Sequence, residues 1–239
     1  MPSDVDLSIV MPAHNEEELL SGAVHRVVEG LRAAGRRFEV LVVENGSIDK
    51  TAIIADRLEE ELAEVRSLRY PGADYGRSLR AGFLAAGGAT IVNFDVDYVD
   101  LGFLETATAI VEAPGGPALV VGSKRSAGAT DNRSLPRRIV TWTFSTLLKV
   151  AFGLKVSDTH GMKALRREPL VPVVAACRLG TDLFDTEMVL RAERAGLGAA
   201  EVPVTVEELR PSRSPIAKRI PRTLTGLVRL RLVLWLDRH

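Results

Sequence analysis

The 239-residue chain has a single cysteine, Cys177, which excludes an intrachain disulfide framework and a multi-cysteine zinc site. It has no excess of charge: 31 Lys and Arg stand against 31 Asp and Glu. A protein whose main work is coating nucleic acid would be strongly basic, so no nucleic-acid partner is expected. No apolar run approaches the length of a membrane span, the longest being the short tract around Leu232–Leu236. The opening "MPSDVDLSIV" lacks a basic region followed by an apolar one, so no secretory leader is expected. There is no internal repeat and no low-complexity segment. There is also no GxGxxG after the first strand, no GxxxxGK[ST] and no GxSxG. A dinucleotide fold, a P-loop and a nucleophile elbow are therefore unsupported.

What is present alternates between two periodicities. "LSIVMP" and "FEVLVV" are apolar, β-branched runs of the kind found in strands buried on both faces. "VRSLRY", "ATIVNFD" and "PALVVGS" continue the series. Between them, Leu20, Val24, Val27, Val28 and Leu31 recur at helical spacing up to Gly35, and "DKTAIIADRLEEELA", "GRSLRAGFLAAG" and "LETATAIVEA" read as further helices. Ser47 or Asp49 is the expected cap of the second helix. Repeated β-α units with short connections predict an α/β fold with a mostly parallel central sheet and helices on both faces. After Gly122 the rhythm breaks into a polar, basic loop. An apolar helix over 139–152 follows, then a helix "FDTEMVLRAERAG" capped by Thr181 or Asp182, a strand "GAAEVPVTV", and a last segment "PRTLTGLVRLRLVLWLDRH". The expected organisation is a catalytic domain over 1–220 and a C-terminal helix over 221–239, either covering the sheet, forming a homodimer interface or lying at a membrane surface.

In such sheets the ligand sits beyond the carboxyl ends of the strands. Three polar clusters follow strands one, two and four: "PAHNEEE", "ENGSIDKT" and "DVD". Parallel topology brings them to one edge. Asp95 and Asp97 straddle one residue at a strand end, which suits a hard cation. Mg2+ or Mn2+ takes oxygen ligands and often keeps substrate phosphates in its shell. A diphosphate held by metal rather than by a glycine cradle points to a nucleoside-diphosphate sugar. A nucleotidylyltransferase would need a glycine-rich, arginine-containing loop after strand one, where this chain has an acidic segment.

The segments "SIVMPAHNEEELL", "VLVVENGSIDKT", "GRSLRAGFLAAGGATIVNFDVD", "SDTHGMKALRRE" and "FDTEMVLRAERAGLGAAEVPV", in this order, resemble the family 2 glycosyltransferases of GT-A fold, in the dolichyl-phosphate sugar synthase branch. The resemblance implies metal-dependent inverting transfer from a GDP- or UDP-linked sugar. It implies that Pro12, Asn15 and Glu16 border the nucleotide and that Glu44 and Asp49 lie near base and ribose. Asp95 would face the nucleotide and Asp97 would be the main metal ligand, with Asp95 beside it. Lys124, Arg125, Arg210 and Arg213 match positions where basic groups meet phosphates. The candidate catalytic acids are Asp158, Asp185 and Glu187. The last two stand about 200° apart on an ideal helix, so both cannot point into one site. Glu187 is expected to pair with Arg191 on a solvated face.

The chain departs from that pattern at three places. Glu44-Asn45-Gly46-Ser47 stands where Asp-Asp-Gly-Ser is commoner, Val99 stands where the lipid-phosphate synthases carry a metal-binding Gln, and Lys163 stands in place of an Arg. Asp100 directly follows Val99. A polyprenyl phosphate or another membrane-borne acceptor is expected, with a cytoplasmic location, peripheral at the inner face of the membrane. The rival reading is a nucleotide-sugar-binding regulator without turnover.

Overall fold

A computed structural model describes residues 5–124, 126, 130–131, 135–206 and 216–236. Seven strands form one sheet: β1 (Leu7–Ala13), β2 (Phe38–Asn45), β3 (Val65–Tyr70), β4 (Thr90–Asn93), β5 (Leu119–Ser123), β7 (Lys163–Arg166) and β8 (Ala199–Pro203). Their order is β3-β2-β1-β4-β7-β5-β8, parallel except for β7. A second, two-stranded sheet pairs β6 (Thr130–Asp131) with β9 (Thr205–Val206). The helices are α1 (Leu20–Ala33), α2 (Thr51–Glu61), α3 (Tyr75–Ala85), α4 (Leu101–Glu112), α5 (Leu135–Phe152), α6 (Arg167–Ala176), α7 (Phe184–Arg194) and α8 (Ile216–Leu236).

Both faces of the sheet are covered, which is why its central strands read as unbroken apolar runs. Alternate β1 residues divide between two cores. Leu7, Ile9 and Met11 pack with α1 and α4 on one side, and Val10 packs with α3, α6 and α7 on the other. Gly82 lets α3 lie directly on β1 and β2, since a Cβ there would come within 2.4 Å of Val10 Cγ1 and 2.9 Å of Val43 Cγ2. That close approach fixes where the N-terminus of α3 delivers Asp74 and Tyr75.

The chain winds outward from β1 to β2 and β3 in one direction and places β4 on the other flank. The β1–β4 ladder ends at Val10 and Asn93, whereas β1–β2 continues to Ala13 and Glu44. β1 and β4 therefore part at their carboxyl ends, and a crevice at such a switch point is where open α/β sheets bind ligands. Pro12 falls after the ladder to β4 has ended, so its missing N–H breaks no bond across that gap.

Several expectations change. β7 and α6 were not read as elements, because a four-residue strand followed at once by a helix carries little periodicity. Lys50, not Ser47 or Asp49, is the residue before α2, and it makes no side-chain cap bond; Asp49 Oδ1 instead accepts from Thr51 N at 2.9 Å. Leu183 occupies the corresponding position before α7, also without a side-chain cap. A boundary at residue 220 falls inside α8, whose Leu227, Leu230 and Leu234 are buried in the second core.

At the amino-terminal edge of the sheet, Glu39 is buried and accepts from Ser8 Oγ (2.7 Å), Gly87 N (2.7 Å) and Arg66 Nη1 (2.9 Å). Burial alone would raise its pKa, but the bonds from Ser8, Gly87 and Arg66 outweigh it and hold the carboxyl below its ordinary value. A depressed folded pKa stabilises the protein above the unfolded value and is lost as pH falls through the folded one. Glu39→Gln should lower the thermal midpoint at neutral pH and flatten its decline below about pH 4.5, as read by circular dichroism melts across pH. An unchanged acid limb would contradict this.

Candidate active site

The loops after β1 and β2 interlock. Asn15 adopts a left-handed backbone (φ 55°), so its N–H reaches Ser47 Oγ at 3.1 Å while its Oδ1 accepts from Ile48 N at 2.9 Å. His14 Nδ1 lies 2.8 Å from Asn45 O, and Glu16 N donates to Thr51 Oγ1 at 2.7 Å. Glu44 Oε1 accepts from Ser47 N at 2.5 Å, and its Oε2 lies 3.3 Å from Arg69 Nη1. Asp49 accepts from Thr51 N, Thr51 Oγ1 and Glu17 N. Burial would raise the Asp49 pKa, and these bonds bring it below the ordinary value. Both clusters thus form one pre-shaped rim beside the β1–β4 crevice, and Glu44 and Asp49 help to build it.

Asp74 ties that rim to α3. Its N–H donates to Asn45 Oδ1 at 2.8 Å, and its Oδ1 caps the helix by accepting from Arg77 N at 3.0 Å. The same Oδ1 accepts from Thr181 N at 2.7 Å. The next residue, Tyr75, donates its hydroxyl to Asp95 Oδ1 at 2.9 Å. Asp95 retains some contact with solvent, yet burial is the largest influence on its carboxyl and raises the pKa. The Tyr75 bond opposes that rise, Asp97 and Asp185 add to it, and Lys163 opposes it. The Tyr75 hydroxyl is pushed well above its ordinary value by burial and by the nearby Asp95 and Asp185.

After Asp95 the chain turns, with Tyr98 N donating to Asp95 O at 2.9 Å. The turn leaves Asp97 exposed and buries Val96. Tyr98 Oη donates to Thr205 O and so anchors this turn to β9. Val99 lies in the core beneath α4, and Asp100 caps α4 by accepting from Phe103 N at 2.9 Å. Val99 is thus a core residue, and Asp100 is a helix cap.

Because β7 is antiparallel, its start lies at the same edge as the ends of β4 and β5, with Lys163 paired to Asn93 and Val121. The preceding loop, which holds Asp158, is therefore part of this edge. Asp158 is buried, its Oδ1 accepts from His160 N at 3.0 Å, and Glu201 holds the loop from β8 by accepting from Ser157 N, Ser157 Oγ and Asp158 N. Lys163 is fully buried; its Nζ donates to Gly161 O at 2.7 Å and lies 2.9 Å from Asp185 Oδ1. That contact is electrostatic and off the line of a hydrogen bond. Asp185 Oδ1 and Asn93 Oδ1 are the buried side-chain oxygens left without a hydrogen-bond donor among the described residues. Asp185 is thus set beneath Asp95 as the counter-ion of a buried ammonium.

Glu187 departs from its expected place. It is 0 % exposed rather than solvated. It does pair with Arg191, at 2.8 Å, but it also accepts from Arg178 N and Leu179 N at 3.0 and 2.8 Å. Both oxygens are committed to closing the loop after α6, which leaves no free carboxylate face for chemistry. Lys124 directly follows β5 at the same edge, whereas Arg125, Arg210 and Arg213 lie outside the described residues. Sequence reading missed Tyr75, Asp74, Asn93 and Glu201. The only signal for Tyr75 was an Asp-Tyr pair just ahead of the α3 glycine motif.

Removing one partner of a buried ion pair strands the other charge, at a cost of about 3–5 kcal/mol. Lys163→Met should destabilise the fold by that amount in urea unfolding, and Lys163→Met combined with Asp185→Leu should recover most of it. Independent, additive losses would show that the pair does not act as a unit.

The family profile of Glycosyl transferase family 2 matches residues 8–172. Glycosyltransferase AglD of Haloferax volcanii is 33 % identical over 210 residues, covering 85 % of this chain but only 33 % of the relative, so the chain spans a third of that protein's length. Dolichyl-phosphate beta-glucosyltransferase ALG5A of Trichomonas vaginalis is 25 % identical over 240 residues, 96 % of this chain and 74 % of the relative. Among solved structures, the mannosyltransferase of Pyrobaculum calidifontis in complex with GDP-Man and Mn2+ superposes with a TM-score of 0.64 at 20 % identity, covering 95 % of this chain and 66 % of the other. The shared fold is the α/β GT-A architecture, and with the profile spanning all three rim clusters, the chain belongs to glycosyl transferase family 2 and is a glycosyltransferase.

Proposed function

We propose that the protein moves a hexose from a GDP- or UDP-linked sugar to a polyprenyl phosphate or similar membrane-borne acceptor, with inversion and with Mg2+ or Mn2+. The observation that carries the reading is the placement of exposed Asp97 beside half-buried Asp95 at the mouth of the β1–β4 crevice. The names of the dolichyl-phosphate relatives support the acceptor, and the Mn2+ complex of the archaeal mannosyltransferase supports the metal.

The residues fit a hard divalent cation. Their donors are carboxylate oxygens, and Asp97 is exposed at the rim with Asp95 two residues before it. Such a site leaves coordination positions for donor phosphates, as Mg2+ and Mn2+ sites commonly do. Asp97 would be the main ligand, with Asp95 beside it held by Tyr75. A bound cation would neutralise the diphosphate and improve it as a leaving group.

The rest is the work of the chain. Pro12, Asn15 and Glu16 border the nucleotide, with Glu44 and Asp49 bracing the rim that meets base and ribose. Lys124, together with Arg125, Arg210 and Arg213, screens phosphate charge. An acceptor phosphate oxygen attacks the anomeric carbon opposite the diphosphate. The new C–O bond forms as the bond to the diphosphate breaks, and the configuration inverts. A phosphate acceptor is already ionised and needs no base, which suits a site where Glu187 is tied up in structural contacts, Asp185 is the counter-ion of Lys163 and Asp158 is braced in its loop.

Asp97→Ala should lower transfer by at least about 100-fold without changing the melting midpoint, as measured with radiolabelled GDP- and UDP-sugars and polyprenyl phosphate; unchanged metal-dependent donor cleavage would overturn the assignment. A general base contributes about 10²–10⁴-fold. Asp158→Asn should therefore cost less than about tenfold, and a larger loss would show that the acceptor is deprotonated at the site.

A further inference from the structure

The charge of this chain is balanced overall but not locally. α5 carries three basic residues and α8 five, and neither carries an acidic one. The remainder of the chain then holds 23 basic residues against 31 acidic. A helix that only covers a core has no reason to exclude carboxylates so completely.

Among the described residues, the same two helices present five of the seven large apolar side chains that are more than half exposed, the others being Ile48 and Ile53. Trp142 and Val150 on α5, and Val228, Leu232 and Trp235 on α8, are each more than half exposed. On α8 the three fall at i, i+4 and i+7, one face of a helix, while Leu227, Leu230 and Leu234 form its buried face. The helices are neighbours: Arg231 Nη1 donates to Ala151 O at 2.8 Å, and Leu148 of α5 shares the core with the buried leucines of α8. Lys149 and Arg229 are exposed alongside the apolar residues. An apolar face bearing tryptophan, flanked by cations and free of acids, matches the interface of an anionic bilayer. No helix among the described residues is long and apolar enough to cross one.

We infer that α5 and α8 together form a docking surface for an anionic membrane, with their tryptophans at headgroup depth. Charge complementarity selects this occupant over a second copy of the chain, since two such faces brought together would set the exposed Lys149, Arg229 and Arg231 of one copy against those of the other, on helices that carry no acid. The surface is also joined to the site. Gly226 of α8 lets Leu183 approach, a Cβ there lying 2.2 Å from Leu183 Cδ1. Leu183 closes the turn whose Thr181 N bonds Asp74, next to the Tyr75 that holds Asp95. Docking would bring the crevice to the bilayer surface, where an acceptor lipid phosphate lies. The inference deepens the acceptor reading above, but its binding test needs no acceptor.

The test is sedimentation with acceptor-free vesicles of phosphatidylcholine alone and of phosphatidylcholine mixed with phosphatidylglycerol, together with tryptophan emission. The expected result is binding and a blue shift only with the anionic vesicles, weakened by salt. A basic residue near an anionic surface contributes about 1 kcal/mol, a factor of about five. Lys149→Glu with Arg229→Glu should therefore reduce partitioning by at least about tenfold. Leu232→Ser with Trp235→Ser should abolish it, with both variants keeping the parent melting midpoint and soluble-donor hydrolysis. Equal binding to both vesicle types would overturn the inference. So would binding unchanged in these variants, or a concentration-dependent dimer lost in them without any vesicle binding. Vesicle binding with no transfer to any lipid phosphate would leave this surface standing and remove the acceptor reading alone.

Discussion

A fully buried lysine ammonium organises the catalytic edge of this protein. Lys163 stands at the start of the one antiparallel strand, between β4 and β5, with no access to water. Such a charge is tolerated only with a partner close by, and Asp185 supplies it from α7. The pairing therefore dictates how α7 lies against the sheet, and it seats a negative charge under Asp95 that is balanced at once by a positive one. Asp95 can then be held by the Tyr75 hydroxyl, and Asp97 is left exposed at the rim. The family resemblance implies an arginine at the place that Lys163 occupies. A compact ammonium makes one short contact to a carboxylate and another to Gly161 O, where a guanidinium would have needed a wider, flatter partner.

Around that floor, the rim is built almost entirely from backbone N–H groups meeting side-chain oxygens of the neighbouring loop. Asn15, Glu44, Asp49 and Thr51 each cross between the loops after β1 and β2 or brace one of them. Loops fixed in this way do not have to be ordered when a nucleotide arrives, so less of the binding energy is lost to ordering. The turn carrying Asp97 is fixed by different means: the Tyr98 anchor to β9, the burial of Val96 and Val99, and the Asp100 cap. Each of the acids in "VNFDVDYVD" thus has its own task. Asp95 takes a hydroxyl donor, Asp97 faces outward, and Asp100 starts a helix.

The alternation of strand and helix through Ser123 was legible because buried parallel strands and amphipathic helices each impose a period on the sequence. The convergence of "PAHNEEE", "ENGSIDKT" and "DVD" followed from topology alone, since parallel strands put their carboxyl ends on one edge. What did not show was tertiary. β7 is too short to display a period, so Lys163 had no place in the sheet until the chain was folded. Glu187 and Arg191 have the spacing of a solvated i,i+4 pair, and only the packing of α6 on α7 reveals that the pair is buried and stapled to the Arg178–Leu179 backbone. Asp100 shows in sequence only as an acid next to Val99; the direction of its carboxyl is decided by where α4 begins. The exposed apolar residues of α5 and α8 were visible as apolar, but which of them face solvent depends on the contact between the two helices.

The central claim is that β1 and β4 part to form a donor crevice whose metal ligand is Asp97. A crystal structure with a nucleoside diphosphate and Mn2+ tests it directly. The expected result is the ion on the Asp97 carboxylate, bridged to the diphosphate, with the nucleoside lying across the rim of Asn15, Glu44 and Asp49. A nucleotide bound elsewhere, or an ion ligated without Asp97, would contradict it.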